Sequence, residues 1–348
     1  MSVTKLALEV GQRQAAAALR LLLARGLLDG SRRITKRRTV VLLPLRPGAA
    51  EDATVLRLGK VRGANLASRT TGTPIARIRE LSGLTATKSR LLPARWQRIG
   101  DVVVVRLPAE LGPDAEGVGN AYARVLKARA VVDIRRIAGE LREPEGRVIH
   151  GKSAETVHRE NGILYSLDAA RLMFSKGNKA ERERMGRIVK PGERVLDMFA
   201  GIGYFTLPIA VKARPETVVA IEKNPLSFGF LRKNIGLNKV ERRVEAVNTD
   251  CRDVKVVKVV GSGSRFDRAI LGYIPDSGET REGFAGAWEF LPTAARALRP
   301  GGVAHFHCLA GRGVRKVPPV EGFRERGMRV VKSYGPETFH VVVDLVRI

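Results

Sequence analysis

Only two cysteines, Cys251 and Cys308, occur in 348 residues, and no Cys-x-x-Cys spacing is present. That excludes a disulfide-stapled scaffold and a structural zinc site. Both thiols are expected in or beside strands as small apolar residues. Amides are scarce as well, with 8 Asn and 3 Gln, a composition associated with thermophiles. No apolar run reaches membrane-spanning length, because Arg20 and Arg25 interrupt the Ala/Leu-rich stretch near the start. That stretch has no clean cleavage region and continues into a patterned segment, so it reads as structural and the chain as cytoplasmic. Acids are also short: 62 Lys and Arg stand against 35 Asp and Glu, a net charge of +27. Residues 1–46 alone hold 10 basic and 2 acidic side chains, a net of +8. A field of this sign concentrates polyanions and favours a nucleic-acid partner over a merely solvated surface.

What is present centres on Val195-Leu196-Asp197-Met198-Phe199-Ala200-Gly201-Ile202-Gly203-Tyr204-Phe205-Thr206. An apolar run ends in an acid, passes two glycines and opens a new apolar segment, the pattern of strand, tight turn and helix. Gly201 and Gly203 allow close backbone approach to a nucleotide-like ligand, and the helix start supplies unpaired N–H groups. A dinucleotide-binding turn wants a third glycine where this chain has Thr206, which disfavours NAD and FAD. The next strand, Thr217 to Glu222, ends in an acid 25 positions after Asp197, suited to accept both hydroxyls of a ribose. Another, Val244 to Thr249, is followed by Asp250. Acid–glycine turn, acid, acid, each at a strand's C-terminal end, is the layout of S-adenosylmethionine-dependent transferases. The alternative is a generic doubly wound domain whose acids cap loops.

The expected fold class is therefore α/β: a class I S-adenosylmethionine-dependent transferase (Rossmann-like) catalytic domain over 151–348, preceded by smaller α+β modules. Leu19, Leu22, Leu23 and Leu27 fall at helical spacing, and a strand is expected from Thr39 to Leu45, giving a basic module over 1–46. Residues 47–73, rich in Gly, Thr and Arg, read as a linker. A small α+β module is expected over 74–150. His305 and His307 alternate on one strand without a third ligand, so they read as packing residues and no metal is expected.

Several ordered motifs resemble the archaeal and eukaryotic enzymes that modify guanosine 37 of tRNA. They are Thr156-Val157-His158-Arg159-Glu160-Asn161-Gly162, Phe174-Ser175 with Glu181-Arg182, the Asp197–Gly203 turn, Glu222-Lys223-Asn224-Pro225 and Asn234-Ile235-Gly236-Leu237-Asn238-Lys239. Gly26-Leu27-Leu28-Asp29 with Ser31-Arg32-Arg33-Ile34 is similar to that family's N-terminal tRNA-docking module. One branch of the family methylates N1 of the base. The other moves a 3-amino-3-carboxypropyl group onto a tricyclic wybutosine precursor. Methylating relatives have Ser-Pro-Arg-Leu where this chain has Ser175-Lys176-Gly177-Asn178, and Asn-Leu-Pro or Asn-Pro-Pro where it has Leu271-Gly272-Tyr273-Ile274-Pro275. Both departures favour the aminocarboxypropyl branch, with carbon 7 of 4-demethylwyosine in tRNA-Phe as the implied nucleophile. The methyltransferase stays open as an alternative, as does a non-catalytic basic tRNA-binding protein.

The resemblance implies S-adenosylmethionine as donor, with Glu222 on the ribose, Thr249 and Asp250 beside the adenine, and Asp197, Gly201 and Gly203 building the turn. Ser175 and Arg182 are implied at the methionine portion, although Arg182 can instead pair with Glu181 or Glu183 on its own helix. Gly272 and Pro275 are implied to floor the target-base pocket. Tyr273 either stacks on that base or fills core. Glu193 matches a position given a proton-transfer role in the methylating branch, but Gly-Glu before this strand is common across the wider transferase superfamily, so no general base is assigned. A monomer acting without a metal or a membrane is expected.

Overall fold

The computed structural model describes residues 5–64, 66, 73–139, 143–253, 265–274, 279–314 and 316–348. The chain divides into two compact units, residues 1–77 and 78–348.

In the first unit, strands β1 (Lys5–Gly11), β2 (Thr35–Lys36), β3 (Val40–Pro44) and β4 (Lys60–Ala64) form one sheet in the order β2-β3-β1-β4. Side-chain alternation sends Leu8, Val10, Val41 and Leu43 to one face, where they pack with Ala18 and Leu22 of helix α1 (Ala15–Ala24). Leu23 points outward, 59% exposed, so the leucine spacing marks the helix but not each buried position. Ala7, Leu42 and Ala64 form a second cluster with Leu66. The segment 47–73, read from composition as a linker, contains helix α2 (Ala53–Leu58) and strand β4, which pairs antiparallel with β1. Asp52 caps α2 by accepting from Thr54 N–H, and Val55 is fully buried, contacts that a Gly/Thr/Arg-rich composition conceals. Residues 65 and 67–72 of that segment lie outside the described residues. Helix α3 (Pro74–Leu81) spans the boundary between the units in sequence.

The second unit begins with helix α4 (Ala86–Arg90), strands β5 (Gln97–Ile99) and β6 (Val102–Val105), helix α5 (Ala115–Leu126) and strands β7 (Ala130–Ala138) and β8 (Glu143–His150), the strands ordered β5-β6-β7-β8. A hairpin of β9 (Glu155–Glu160) and β10 (Ile163–Asp168) follows. Its two-residue turn, Asn161-Gly162, has φ of 50° and 86°, the doubly left-handed backbone that Asn-Gly adopts with little strain. Ile99, Val102, Ala130 and Val132 of the small sheet share one core with Ile163, Leu167, Val195 and Val218, so the small module is welded to the catalytic part.

The remaining elements are helix α6 (Lys179–Ile188), β11 (Arg194–Asp197), α7 (Thr206–Lys212), β12 (Thr217–Glu222), α8 (Pro225–Leu237), β13 (Val244–Asn248), β14 (Phe266–Leu271), β15 (Glu279–Arg281), β16 (Phe284–Gly286), α9 (Leu291–Ala297), β17 (Leu298–Gly311), β18 (Phe323–Ser333) and β19 (Thr338–Arg347). They build a nine-stranded sheet whose main path runs β13-β12-β11-β14-β17-β19-β18, with β16 and β15 continuing along β17. Strands β11 to β14 and β17 are parallel, and β19 is antiparallel to β17. Strand order reverses at β11, and the crevice beyond the C-terminal ends of β11 and β14 is where such sheets bind ligands.

Two asparagines explain one of the sequence motifs. On α8, Asn234 accepts from Ser166 N–H at 2.6 Å and donates to the Ser166 and Ile202 carbonyls, both at 3.0 Å. One turn on, Asn238 treats Leu164 the same way, at 2.9 and 2.7 Å. The helix thus satisfies the edge of β10 as a neighbouring strand would.

The two cysteines are buried, Cys308 within β17 and Cys251 beyond β13, and burial pushes both thiols up to about 12. His305 accepts from Arg268 on Nε2 and donates from Nδ1 to Asp344 at 2.6 Å, while His307 meets His340 at 3.0 Å in a pair whose burial lowers both to about 3. Among the described residues no cluster suited to a metal ion occurs, and no helix is long and apolar enough to cross a membrane.

Candidate cofactor site

One cavity opens at the switch point. Its walls carry Met198, Phe199, Gly201 and Tyr204 from the turn after β11, Glu222 and Lys223 after β12, and Thr249, Asp250 and Cys251 after β13. Gly272 and Tyr273 follow β14, Phe290 precedes α9, and Glu143 with Arg171, Leu172 and Met173 close the other side.

The turn owes its shape to Asp197 and Thr206. Asp197 is fully buried and its Oδ2 accepts from both the N–H of Thr206, at 3.1 Å, and its hydroxyl, at 2.7 Å. Where a dinucleotide-binding turn has its third glycine, Thr206 thus supplies a hydroxyl that ties the helix start to the strand end. Burial outweighs these hydrogen bonds and raises the Asp197 carboxyl to about 6. Gly201 has φ of 56°, and a Cβ there would fall 2.6 Å from the Tyr204 ring. Only glycine meets both conditions. The Tyr204 hydroxyl donates to the Met173 carbonyl, which joins the turn to the segment after β10.

Glu222 is the organising acid. Its Oε2 accepts from Gly201 N–H and its Oε1 from Asn224 N–H, each at 2.7 Å. Asn224 in turn caps α8 by accepting from Leu226 and Ser227, with Pro225 at the first helical position, which accounts for Glu-Lys-Asn-Pro. A carboxylate offers about four acceptor positions, so backbone donors do not exhaust it and capacity remains for a ligand's hydroxyls. Burial raises the Glu222 carboxyl above its ordinary range. Asp250 differs: Arg252, at 2.6 Å, and Lys223, at 3.3 Å, hold its carboxyl far below the usual range.

The opposite wall is aromatic. Tyr273 stacks on Phe199 at 5.2 Å and 22°, Phe290 meets Phe199 edge-on at 4.8 Å, and the Arg252 guanidinium lies 4.7 Å from the Phe290 centroid. Tyr273 therefore packs in a cluster and lines the cavity at once. A Cβ on Gly272 would sit 2.9 Å from the Phe205 ring, so any side chain there would have to displace that ring.

Gly201, Glu222, Thr249, Asp250, Gly272 and Tyr273 thus meet around one cavity, with Asp197 and Gly203 directly behind its turn. Ser175 and Arg182 stand apart from its walls. Arg182 is 2% exposed, binds Glu160 through Nε at 2.8 Å and Nη2 at 3.1 Å, donates to the Ser175 carbonyl at 2.9 Å and covers the Phe174 ring at 4.8 Å. Its partner is neither Glu181 nor Glu183 but a residue of β9, a pairing across 22 positions that helical spacing does not reveal. The Ser175 hydroxyl accepts from Lys332 at 2.9 Å. Pro275 lies outside the described residues. Glu193 is at the other end of β11, gripped by Arg268 at 2.5 and 3.1 Å.

Phe199, Tyr204 and Cys251 adjoin predicted residues, and their place was readable from that adjacency. Glu143, Arg171 and Phe290 carry no local signal and arrive through the fold.

Fold and site together define a class I S-adenosylmethionine-dependent transferase. The chain belongs to the TRM5/TYW2 family: residues 156–331 match the TRM5/TYW2 methyltransferase domain, and residues 79–154 the TYW2 N-terminal domain. It is 40% identical over 282 residues to the tRNA(Phe) (4-demethylwyosine(37)-C(7)) aminocarboxypropyltransferase of Pyrococcus horikoshii, covering 77% of this chain and 95% of that protein. The crystal structure of P. horikoshii TYW2 in complex with MeSAdo superposes with a TM-score of 0.63 and 36% identity, over 78% of this chain and 98% of that one. The tRNA (guanine(37)-N(1))-methyltransferase Trm5b of Pyrococcus abyssi is 30% identical over 97% of this chain and 98% of its own length.

Proposed function

We infer that this chain transfers the 3-amino-3-carboxypropyl group of S-adenosylmethionine to carbon 7 of 4-demethylwyosine at position 37 of tRNA-Phe. The observation that carries the reading is likeness to the P. horikoshii aminocarboxypropyltransferase over 95% of that protein. The TYW2 N-terminal domain at 79–154 agrees with it. So does Gly177, which offers no guanidinium to a guanine and lies against the stem of Lys332, where a Cβ would fall 2.6 Å from its Cδ.

When bound, the sulfonium would present an activated γ-carbon: a bond to carbon 7 forms as the carbon–sulfur bond breaks, methylthioadenosine leaves, and carbon 7 gives up its proton to solvent water. A neutral thioether needs no acid to leave, so the protein's task is positioning. Glu222 receives the ribose hydroxyls on the acceptor capacity its backbone donors leave open. Thr249 and Asp250 border the adenine, and Gly201 and Gly203 bring the backbone close. Gly272 and Tyr273 face the target base, with Pro275 assigned beside them from sequence. Ser175 and Arg182 contribute to the methionine end from behind the wall: Arg182, anchored by Glu160, fixes the Ser175 main chain and so the segment that continues from Met173. Residues 1–46 dock the tRNA through their positive charge. A cytoplasmic monomer that works without a metal completes the proposal.

The match to Trm5b over 97% of the chain keeps guanosine-37 methylation as a second reading. Mass spectrometry of the small-molecule product separates the two. Methylthioadenosine formed only with tRNA-Phe carrying 4-demethylwyosine is expected. S-adenosylhomocysteine from unmodified tRNA-Phe would install the methyltransferase instead.

A further inference from the structure

Five charged side chains line the cavity, and three are already engaged there. Glu222 binds two backbone amides, and Lys223 pairs with Asp250. The other two, Glu143 and Arg171, have opposite signs. Glu143, at the start of β8, accepts from the Asn224 side-chain amide at 2.7 Å and meets no cation among the described residues. Arg171, in the turn after β10, is exposed, and its guanidinium has no hydrogen-bond or ion partner among the described residues. Arg182, Arg184 and Arg252, by contrast, are each paired with a carboxylate. Leu172 and Met173 supply apolar wall beside it.

An unpaired anion and an unpaired cation facing one cavity suit a zwitterion. We propose that Arg171 binds the α-carboxylate and Glu143 the α-ammonium of the amino-acid end of S-adenosylmethionine. This rests on the proposed function and makes the two residues positioning groups for the transferred tail. Their contribution falls on orientation: a tail held at its charged end swings less, and its γ-carbon stays aligned with the base. Glu143 stands at the first residue of β8, so the small module itself becomes part of the donor site.

Calorimetric titration of the full chain with S-adenosylhomocysteine and with methylthioadenosine isolates this end. Both are neutral adenosyl thioethers, and they differ only in the amino-acid tail. Arg171→Gln is expected to weaken S-adenosylhomocysteine by about 10- to 100-fold, the loss of a charge-assisted bidentate contact, with methylthioadenosine held within about twofold. Glu143→Gln keeps an oxygen for the Asn224 amide and is expected to weaken S-adenosylhomocysteine by roughly fivefold, again sparing methylthioadenosine. Equal loss for both ligands, or loss for neither, would overturn the proposal. So would a fall confined to tRNA affinity, which would give Arg171 to a phosphate. If the unaltered chain binds neither ligand, the proposed function itself fails and the assignment with it.

Discussion

Two sets of carboxylates in the second unit make a useful contrast. At the C-terminal ends of β11 and β12, Asp197 and Glu222 are bonded only by uncharged donors, a threonine and three backbone amides among them. Around α6 and the β17–β19 side of the sheet, three acids are instead gripped by arginine. Glu160 takes both forks of Arg182, Glu181 takes Arg184 and Arg329, and Asp344 takes Arg329 and His305. Saturated carboxylates hold the scaffold, whereas buried ones left with neutral partners keep capacity for a ligand; burial raises the carboxyls of Asp197 and Glu222, and that of Glu181 despite its arginines. Burial alone does not tell the two apart; the charge of the partners does.

The largest expected break in this contrast is at Glu222. Replacing it with alanine removes the carboxylate proposed to hold the ribose and strands two backbone amides, so methylthioadenosine affinity should fall by roughly 100-fold or more in calorimetry. A change under about tenfold would count Glu222 among the scaffold acids.

Next comes Glu160. Glu160→Ala leaves the Arg182 charge buried and unpaired, at about 3–5 kcal/mol of stability in urea unfolding. The joint replacement Glu160→Leu with Arg182→Met should recover most of that, because the pair exchanges well for packed apolar groups. Failure to recover would mean that the pair does more than fill space.

Asp197 sharpens the contrast through pH. Its folded carboxyl titrates near 6 against an ordinary value of 3.8, so the folded state retains a proton that the unfolded chain has lost. The associated stability is complete below about pH 4 and is lost as pH rises through about 6, a change on the order of 3 kcal/mol. Asp197→Asn removes that dependence. Subtracting its unfolding free energies from those of the unaltered chain at pH 4.5 and 7.5 isolates the effect from every other group.

The smallest expected effect is at a solvated pair of the same helix. Arg187 approaches Glu183 at 3.8 Å, one turn apart and largely exposed. Arg187→Ala should cost under about 0.5 kcal/mol, vanishing in high salt. A larger loss would show that even the exposed arginines of α6 join the saturated network.

The strand ends were legible because local chemistry declares them: an acid, two glycines and the apolar runs on either side are contiguous in sequence. The Asn-Gly hairpin and the Asn224-Pro225 helix start are readable for the same reason. Glu143 was not, since it reaches Glu222's neighbour Asn224 across 81 positions and nothing beside it in sequence points there. The same is true of Glu160 and Arg182, which join a strand to a helix. Strand β4 was hidden by a composition that resembles a linker, although its backbone bonds do not depend on side-chain identity. Long-range pairing is the common element in what the residue pattern withheld.

The hairpin turn has a consequence in chemical ageing. In a chain with so few amides, Asn161 is followed by Gly162, the neighbour that least hinders backbone attack on the amide carbon. Its Nδ2 lies 3.3 Å from a carboxylate oxygen of Glu183. Deamidation would replace that donor with a second negative charge, one residue beyond Glu160. A slow, heat-driven lesion at the tip of β9 would therefore be felt first by the strand that anchors Arg182.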